Sequence, residues 1–207
     1  MSNAPAAWVA QAWQHWHRPW AVTHAAWLDT PHSALAANGA QELTLRLHYH
    51  AWCERYALAP TLQEFDDTTW WRLFSLPAAR FDQTARRVGL ALMFAAQPRL
   101  RLVRQADDDA ALVRWSLERA QFVPDDVAAA LREATLADAP MQYAALSLRW
   151  CLADDDTALW ARLKLRLAPD HLPTGKTTAR GPDATTCASL AALWADSART
   201  VHMENRT

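Results

Sequence analysis

Glycine and long apolar runs are scarce in this sequence, and each scarcity excludes a class of protein. The chain has 207 residues and only 4 glycines, which argues against a turn-rich β fold and against glycine-rich loops that hold phosphate groups. No stretch reaches about 18 consecutive apolar residues, so we expect no transmembrane helix and no direct membrane insertion. The N-terminus lacks a basic region followed by an apolar run, so we expect no secretory signal.

The number of cysteines and the net charge are also low. The three cysteines, Cys53, Cys151 and Cys187, are odd in number and widely spaced, so a disulfide framework is not expected and a reducing cytosol fits. The formal net charge is −1 at pH 7, so the chain lacks the excess positive charge that is typical of nucleic-acid-binding proteins. We therefore expect a cytoplasmic protein that binds no nucleic acid.

Helix-forming residues dominate the rest of the chain. Alanine, leucine and arginine are abundant and favour helices, and the stripe Phe81, Ala85, Val88 and Leu92 has helical spacing. Aspartate runs and prolines mark the expected helix starts. They lie at residues 66–67, 107–109, 125–126 and 154–156 and at Pro77, Pro124 and Pro140. We predict an all-α fold, a compact bundle of about eight short helices with no extensive sheet.

Three short segments alternate between apolar and polar residues, as strands do. They are residues 42–47, 100–102 and 163–167. Leucine, arginine and lysine have weak β preference, and the flanking residues have helical spacing, so we interpret all three segments as helical.

The composition changes near Ala168, where proline, glycine and threonine become frequent, as they are in linkers. We predict one helical domain over residues 1–170, beginning with a tryptophan-rich helix. A linker-like segment over 171–186 and a C-terminal helix and tail over 187–207 follow. The last amphipathic helix is predicted to start at Ala188, and the sequence leaves open whether it packs on the bundle.

Two motifs with possible chemistry do not complete a site. Residues 174–178 resemble the end of a nucleotide-binding loop, but Asp170 stands where the first glycine is needed, and its carboxylate would repel phosphate. His48, His50 and Cys53 are residue types that bind zinc, but side chains two apart on a helix point about 200° from each other. We therefore expect no catalytic residue, no cofactor and no metal, and no enzymatic activity.

Tryptophan is unusually frequent, with 12 in the chain. Each indole can bury roughly 200 Å², so most should belong to the core. Tryptophan and arginine are also the residue types that dominate binding hot spots. Some tryptophans exceed what a small bundle needs, and we predict that they bind other proteins. They are Trp8, Trp13, Trp16, Trp20, Trp70 and Trp71.

Three stretches between residues 70 and 170 carry a resemblance to a known family. They are Leu-Pro at 76–77 followed by Arg-Val-Gly-Leu-Ala-Leu at 87–92, Leu-Arg-Leu-Val at 100–103, and Trp-Ala-Arg-Leu-Lys-Leu-Arg-Leu at 160–167. In these stretches the sequence resembles the SctK family of type III secretion systems, known as YscK or PscK in animal pathogens, and especially the Hrp-type counterpart of plant pathogens. Ala168 intervenes where the family has proline directly after the last motif.

The resemblance implies a non-enzymatic adaptor of the secretion sorting platform. Proteins of the SctK family are cytoplasmic, lie at the inner-membrane face of the apparatus, and link the cytoplasmic domain of the inner-membrane ring protein SctD to the pod protein SctQ. SctQ in turn holds SctL and the ATPase SctN, which are indirect partners. The family has no catalytic motif, so no site residue is carried over. The alternative is a type III secretion chaperone or another regulatory helical binding protein.

Gly89 lies within the first of these stretches, in the interior of a predicted helix. Glycine there is less favourable than alanine by about 1 kcal/mol. We therefore predict that a neighbouring helix approaches the backbone closely at Gly89.

Overall fold

The computed structural model describes residues 7–28, 42–61, 68–99, 110–134, 136, 139–152, 157–172 and 183–204. Within these ranges the chain forms nine α-helices and no β-strand, which confirms the all-α class. The helices are α1 (Ala7–His17), α2 (Glu42–Tyr56), α3 (Thr69–Phe74), α4 (Ala78–Ala96), α5 (Ala110–Ala120), α6 (Asp125–Glu133), α7 (Pro140–Leu152), α8 (Thr157–Leu163) and α9 (Ala184–Glu204). Short 3₁₀ turns cover Pro19–Ala21, Ala25–Trp27, Lys164–Arg166 and Pro169–His171.

Helix α4 is the centre of the fold. It packs against α5, α6, α7 and α9, and the predicted stripe of Phe81, Ala85, Val88 and Leu92 is fully buried. Its middle is buried on every side, because residues 87–94 are all inaccessible or nearly so. A helix that is apolar all round belongs in the interior of a domain.

Gly89 allows α7 to touch the backbone of α4. A Cβ atom built at Gly89 would lie 1.9 Å from the carbonyl oxygen of Pro140 and 2.5 Å from its carbonyl carbon. No real side chain tolerates such a contact with backbone atoms. The predicted close approach at Gly89 is therefore confirmed, and Pro140, the first residue of α7, is the group that approaches.

The alternating segments have three different outcomes. Residues 42–47 belong to α2, as predicted, and residues 100–102 lie outside the described ranges. Residues 163–166 are helical rather than extended, as predicted, but α8 ends at Leu163 and a 3₁₀ turn follows. Leu165, Arg166 and Leu167 are all buried, with Leu165 in one apolar cluster and Leu167 in another.

Helix α9 starts earlier than predicted and packs on the bundle. The carboxylate of Asp183 accepts a hydrogen bond from the backbone N–H of Thr186 (2.8 Å), which is a helix N-cap. Leu190, Trp194 and Val201 are buried, and the Trp194 ring stacks on Phe81 of α4 with 6.3 Å between centroids. Of the predicted linker over 171–186, residues 173–182 lie outside the described ranges.

Helix α2 packs around a second, smaller apolar cluster. Its buried members are Trp20, Trp52, Cys53, Leu58 and Leu165. Leu165 follows Leu163, which belongs to the main core, so the turn after α8 connects the two clusters. None of the helices in the described part of the chain is both long and apolar enough to cross a membrane.

Candidate protein-binding surfaces

Three of the six tryptophans predicted to bind partners are buried. Trp16, Trp20 and Trp71 are 0%, 6% and 4% exposed. The Trp16 ring lies 5.6 Å from the ring of Trp71, and Trp20 packs edge-on against His48 at 4.5 Å. Burial therefore corrects the prediction for these three residues: they stabilise the fold and present no face to a partner.

The other three tryptophans keep accessible surface. Trp8 and Trp70 are partly buried against the main core, whereas Trp13 is 52% exposed. The Trp13 ring lies 4.4 Å from the ring of His17, one turn further along α1. Trp13 is thus the tryptophan of α1 that a partner can reach most easily, and its role in binding stays a prediction.

A basic cavity between α1 and α2 adjoins Trp13 through His17. It has a volume of about 220 Å³. Its lining residues are His17, Arg18, Leu45, Arg46, Tyr49 and His50. Burial, and then the positive charge of Arg162, lower the pKa of His17. We call Trp13 and these lining residues the α1–α2 surface.

Arg162 supports the α1–α2 surface from below. Its guanidinium lies 3.7 Å from the centroid of the Trp16 ring, and it donates hydrogen bonds to the carbonyl oxygens of Trp16 (2.9 Å) and Ala59 (2.8 Å) and to the Tyr49 hydroxyl (2.9 Å). The carbonyl of Trp16 belongs to the last turn of α1, where the helix dipole attracts a cation. Arg162 thereby fixes α1, α2 and the bend after α2 relative to one another.

Burial dominates the titration of this pair. It raises the pKa of Tyr49 to about 12, although the nearby Arg162 charge acts in the opposite direction. Burial also lowers the pKa of Arg162, and contact with Tyr49 opposes that shift. At neutral pH the pair is therefore a charged guanidinium that donates to a neutral phenol.

Arg166 donates hydrogen bonds near the C-terminal end of α3, as Arg162 does near the C-terminal end of α1. Its guanidinium donates to the carbonyl oxygens of Phe74 (2.8 Å) and Leu76 (2.6 Å) and, more weakly, of Leu73 (3.4 Å). Phe74 is the last residue of α3, and carbonyl groups in the last turn of a helix have no intrahelical partner. Burial lowers the pKa of Arg166 to about 9, while the carboxylate of Asp82 acts to raise it.

Sequence reasoning missed both arginines: Arg166 was interpreted as a polar position of the alternating segment 163–167, and Arg162, directly before that segment, was given no structural role. The signal that could have identified them is their spacing. Arg162 and Arg166 are four residues apart, so successive helical turns place them on the same side as the leucines that surround them.

The residues considered for metal binding are not brought together. His48 is buried against Trp20, whereas His50 is exposed, which is the divergence that helical geometry predicts for positions two apart. Within the described ranges, no three His, Cys, Asp or Glu side chains form a group that could hold a metal ion. Residues 174–178 lie outside those ranges.

A second surface lies between α5, the turn that follows it, and α9. It is a groove of about 440 Å³, and it includes Phe122, which is 68% exposed. We call it the α5–α9 groove. Its lining residues are Arg119, Phe122, Val123, Pro124, Ser189, Leu190, Ala192, Leu193, Asp196 and Arg199. None of them was singled out from the sequence as a binding residue.

Comparison of the chain with protein-family models, with curated proteins and with solved structures gives no match.

Proposed function

We propose that this chain is a non-enzymatic adaptor of a bacterial type III secretion system. In this role it links the cytoplasmic domain of an SctD-like inner-membrane ring protein to an SctQ-like pod protein. SctL and the SctN ATPase are then indirect partners, and the chain is cytoplasmic, held at the inner-membrane face by its protein contacts.

The observation that carries the proposal is the meeting of two of the three stretches that resemble the SctK family; the third, residues 100–103, lies outside the described ranges. Arg166, from the stretch at 160–167, donates a 2.6 Å hydrogen bond to the carbonyl of Leu76, from the Leu-Pro pair. The same guanidinium lies 4.2 Å from the centroid of the Phe81 ring on α4. Residues 87–92 form the buried centre of that helix. Motifs far apart in the sequence thus form one structural unit, as expected when a family's motifs specify its fold.

An adaptor also needs two binding faces in a fixed relation. The α1–α2 surface and the α5–α9 groove have no helix in common, and each combines exposed apolar side chains with arginine. Helix α1 and helix α9 both contribute buried residues to the main core. A packed helical core keeps such surfaces at a constant distance, which is what a bridging protein requires.

A bridging assay tests the proposal. The SctD cytoplasmic domain of the same bacterium is immobilised and incubated with its SctQ homologue, with and without this chain. We expect SctQ to be retained only when the chain is present. Retention of a secreted effector, with no bridging of SctD and SctQ, would instead identify a secretion chaperone.

A further inference from the structure

The α5–α9 groove has an apolar floor with a fixed aromatic edge. Leu190 is buried in its base, and Val123 and Leu193 are partly buried. Phe122 is held in the turn between α5 and α6, where its backbone N–H bonds to the carbonyl of Arg119 (3.0 Å). Pro124 lies two residues further on and is the N-cap residue of α6. The exposed ring is therefore carried by an ordered turn between two packed helices.

The groove carries an excess of positive charge at one end. Arg119 binds the carboxylate of Asp196 at 2.6 Å, and Arg199 reaches the same carboxylate at 3.5 Å. One acidic group thus serves two guanidinium groups. The Arg199 side chain is 74% exposed, and its long contact with Asp196 is weak for a charge-assisted hydrogen bond.

Acidic residues lie outside the groove, at the start of α6. There Asp126 accepts a hydrogen bond from the Thr186 hydroxyl (3.1 Å), and Asp125 is exposed beside it. Thr186 and Asp196 are ten residues apart on α9, about 15 Å along the helix axis. A ligand that extends from the groove past Pro124 would therefore meet negative charge, whereas one that extends toward Arg199 meets positive charge.

We infer that the α5–α9 groove is a docking site for an acidic amphipathic helix of a partner protein. Apolar side chains of that helix pack on Phe122 and Leu193, and a carboxylate at one end pairs with Arg199. Charge complementarity favours this occupant, because a carboxylate satisfies the guanidinium that Asp196 holds only weakly. Helix-in-groove recognition uses apolar anchors at positions i, i+3 or i+4 and i+7 in this way. The inference rests on the proposed function and gives one of the two adaptor faces a location.

The test uses two groove variants and two matched controls of the full chain. Arg199→Glu reverses the charge at the basic end, and Phe122→Ser removes the aromatic edge. Arg114→Glu makes the same charge change on an exposed position of α5 outside the groove, and Met203→Ser removes a side chain that is 67% exposed near the end of α9. Affinity is measured separately for the purified SctQ homologue and for the SctD cytoplasmic domain.

We expect both groove variants to weaken binding to the same one of these two partners by about tenfold or more, as hot-spot residues do. The controls bind like the wild type, and the other partner is unaffected. Wild-type binding to the groove partner weakens as salt rises, and Arg199→Glu reduces that salt dependence. All four variants are exposed substitutions and should keep the wild-type melting temperature.

Several outcomes would overturn the inference. If both partners bind the groove variants with wild-type affinity, the groove is not the docking site, although the adaptor function stands. If the wild-type chain binds neither partner, both proposals fail. If the wild type forms dimers and the Phe122→Ser variant is monomeric, the groove binds a second copy of this chain. A lowered melting temperature for Phe122→Ser alone would assign the groove to contacts within the chain.

Discussion

At the scale of single residues, the fold depends on two buried guanidinium groups that bind backbone carbonyls. Arg162 and Arg166 are each 2% exposed. A buried charge is costly unless polar partners replace its lost hydration. Here the partners are carbonyl oxygens near the C-terminal ends of α1 and α3, and Arg162 also has the Tyr49 hydroxyl. The two side chains thus satisfy backbone groups that the short helices leave open.

Replacing Arg166 tests this account. Arg166→Met keeps the aliphatic length, but it removes the guanidinium donor of the Leu76 carbonyl and leaves the Phe74 carbonyl with only the His15 imidazole as a side-chain donor. Hydrogen bonds from a charged donor contribute about 1.5–3 kcal/mol each, so we expect the free energy of unfolding to fall by about 3 kcal/mol or more. Urea denaturation measures it, and Arg114→Met, on an exposed position of α5, should change stability by less than about 0.5 kcal/mol. Equal stability of Arg166→Met and wild type would contradict the capping role.

Two histidines predict a pH dependence of stability. The Nδ1 of His15 contacts the carbonyl of Phe74 at 3.0 Å and donates to it. Burial lowers the pKa of His15 and of His17 below the ordinary value of 6.5. The hydrogen bond to Phe74 opposes this shift in His15, whereas the charges of Arg166 and Arg162 act in the same direction as burial. The unfolded chain therefore takes up protons first as pH falls through about 6.5, and this destabilises the fold. The melting temperature should decrease between pH 7.5 and 5.5.

A variant without the two imidazoles isolates this effect. In His15→Asn with His17→Gln, the Asn amide can still donate to Phe74, but neither new side chain titrates. We expect the melting temperature of this variant to change less with pH than that of the wild type. Burial raises the pKa of Asp82, and this acts on stability with the opposite sign, but it is common to both proteins. Parallel pH profiles of the two proteins would show that the histidines do not control stability.

At the scale of secondary-structure elements, the contact between α4 and α7 determines how the bundle closes. Glycine is the only residue type that fits at position 89, because any Cβ atom there would overlap the carbonyl of Pro140. This feature was predictable, since a glycine inside an apolar helix is unfavourable without close packing. The break after Leu163 was not predictable, since the carbonyl groups that bind Arg166 come from residues about 90 positions earlier in the chain.

Gly89→Ala should therefore destabilise the protein although alanine is the better helix former. Alanine gains about 1 kcal/mol in helix propensity, but its methyl group forces the first turn of α7 away from α4, which costs more. We expect a net loss of about 2 kcal/mol, within the range of overpacked cores, and no soluble folded protein for Gly89→Leu. An unchanged melting temperature of either variant would contradict the close contact.

At the scale of the whole molecule, some tryptophans lie in the core and others lie at the surface. Trp16 and Trp13 lie on the same helix, yet one is fully buried and the other is 52% exposed. The apolar spacing of α1 could not predict this division, because both positions carry the same residue type. It depends on where α3 and Arg162 approach, which is tertiary information. The apolar stripe of α4 was predictable, since helical periodicity is local.

Alanine substitutions should separate the two groups. Trp71→Ala removes a side chain that packs against Trp16 and Phe74, so we expect a loss of about 3–5 kcal/mol in the free energy of unfolding. Trp13→Ala should change stability by less than about 1 kcal/mol but weaken binding of SctD or SctQ. Denaturation curves and affinity measurements on both variants check this. A stable Trp71→Ala variant with weakened binding would show that Trp71 contacts SctD or SctQ.

The location of Arg162 and Arg166 late in the sequence affects how the protein is made. On the ribosome, α1 and α3 are synthesised long before residue 166 of the 207. Until then the carbonyls of Trp16 and Leu76 lack their guanidinium donors, and Trp16 lacks the guanidinium that covers its ring. The nascent N-terminal half must therefore remain loosely structured through most of translation, and it should reach its final packing only when α8 and the turn after it have left the exit tunnel.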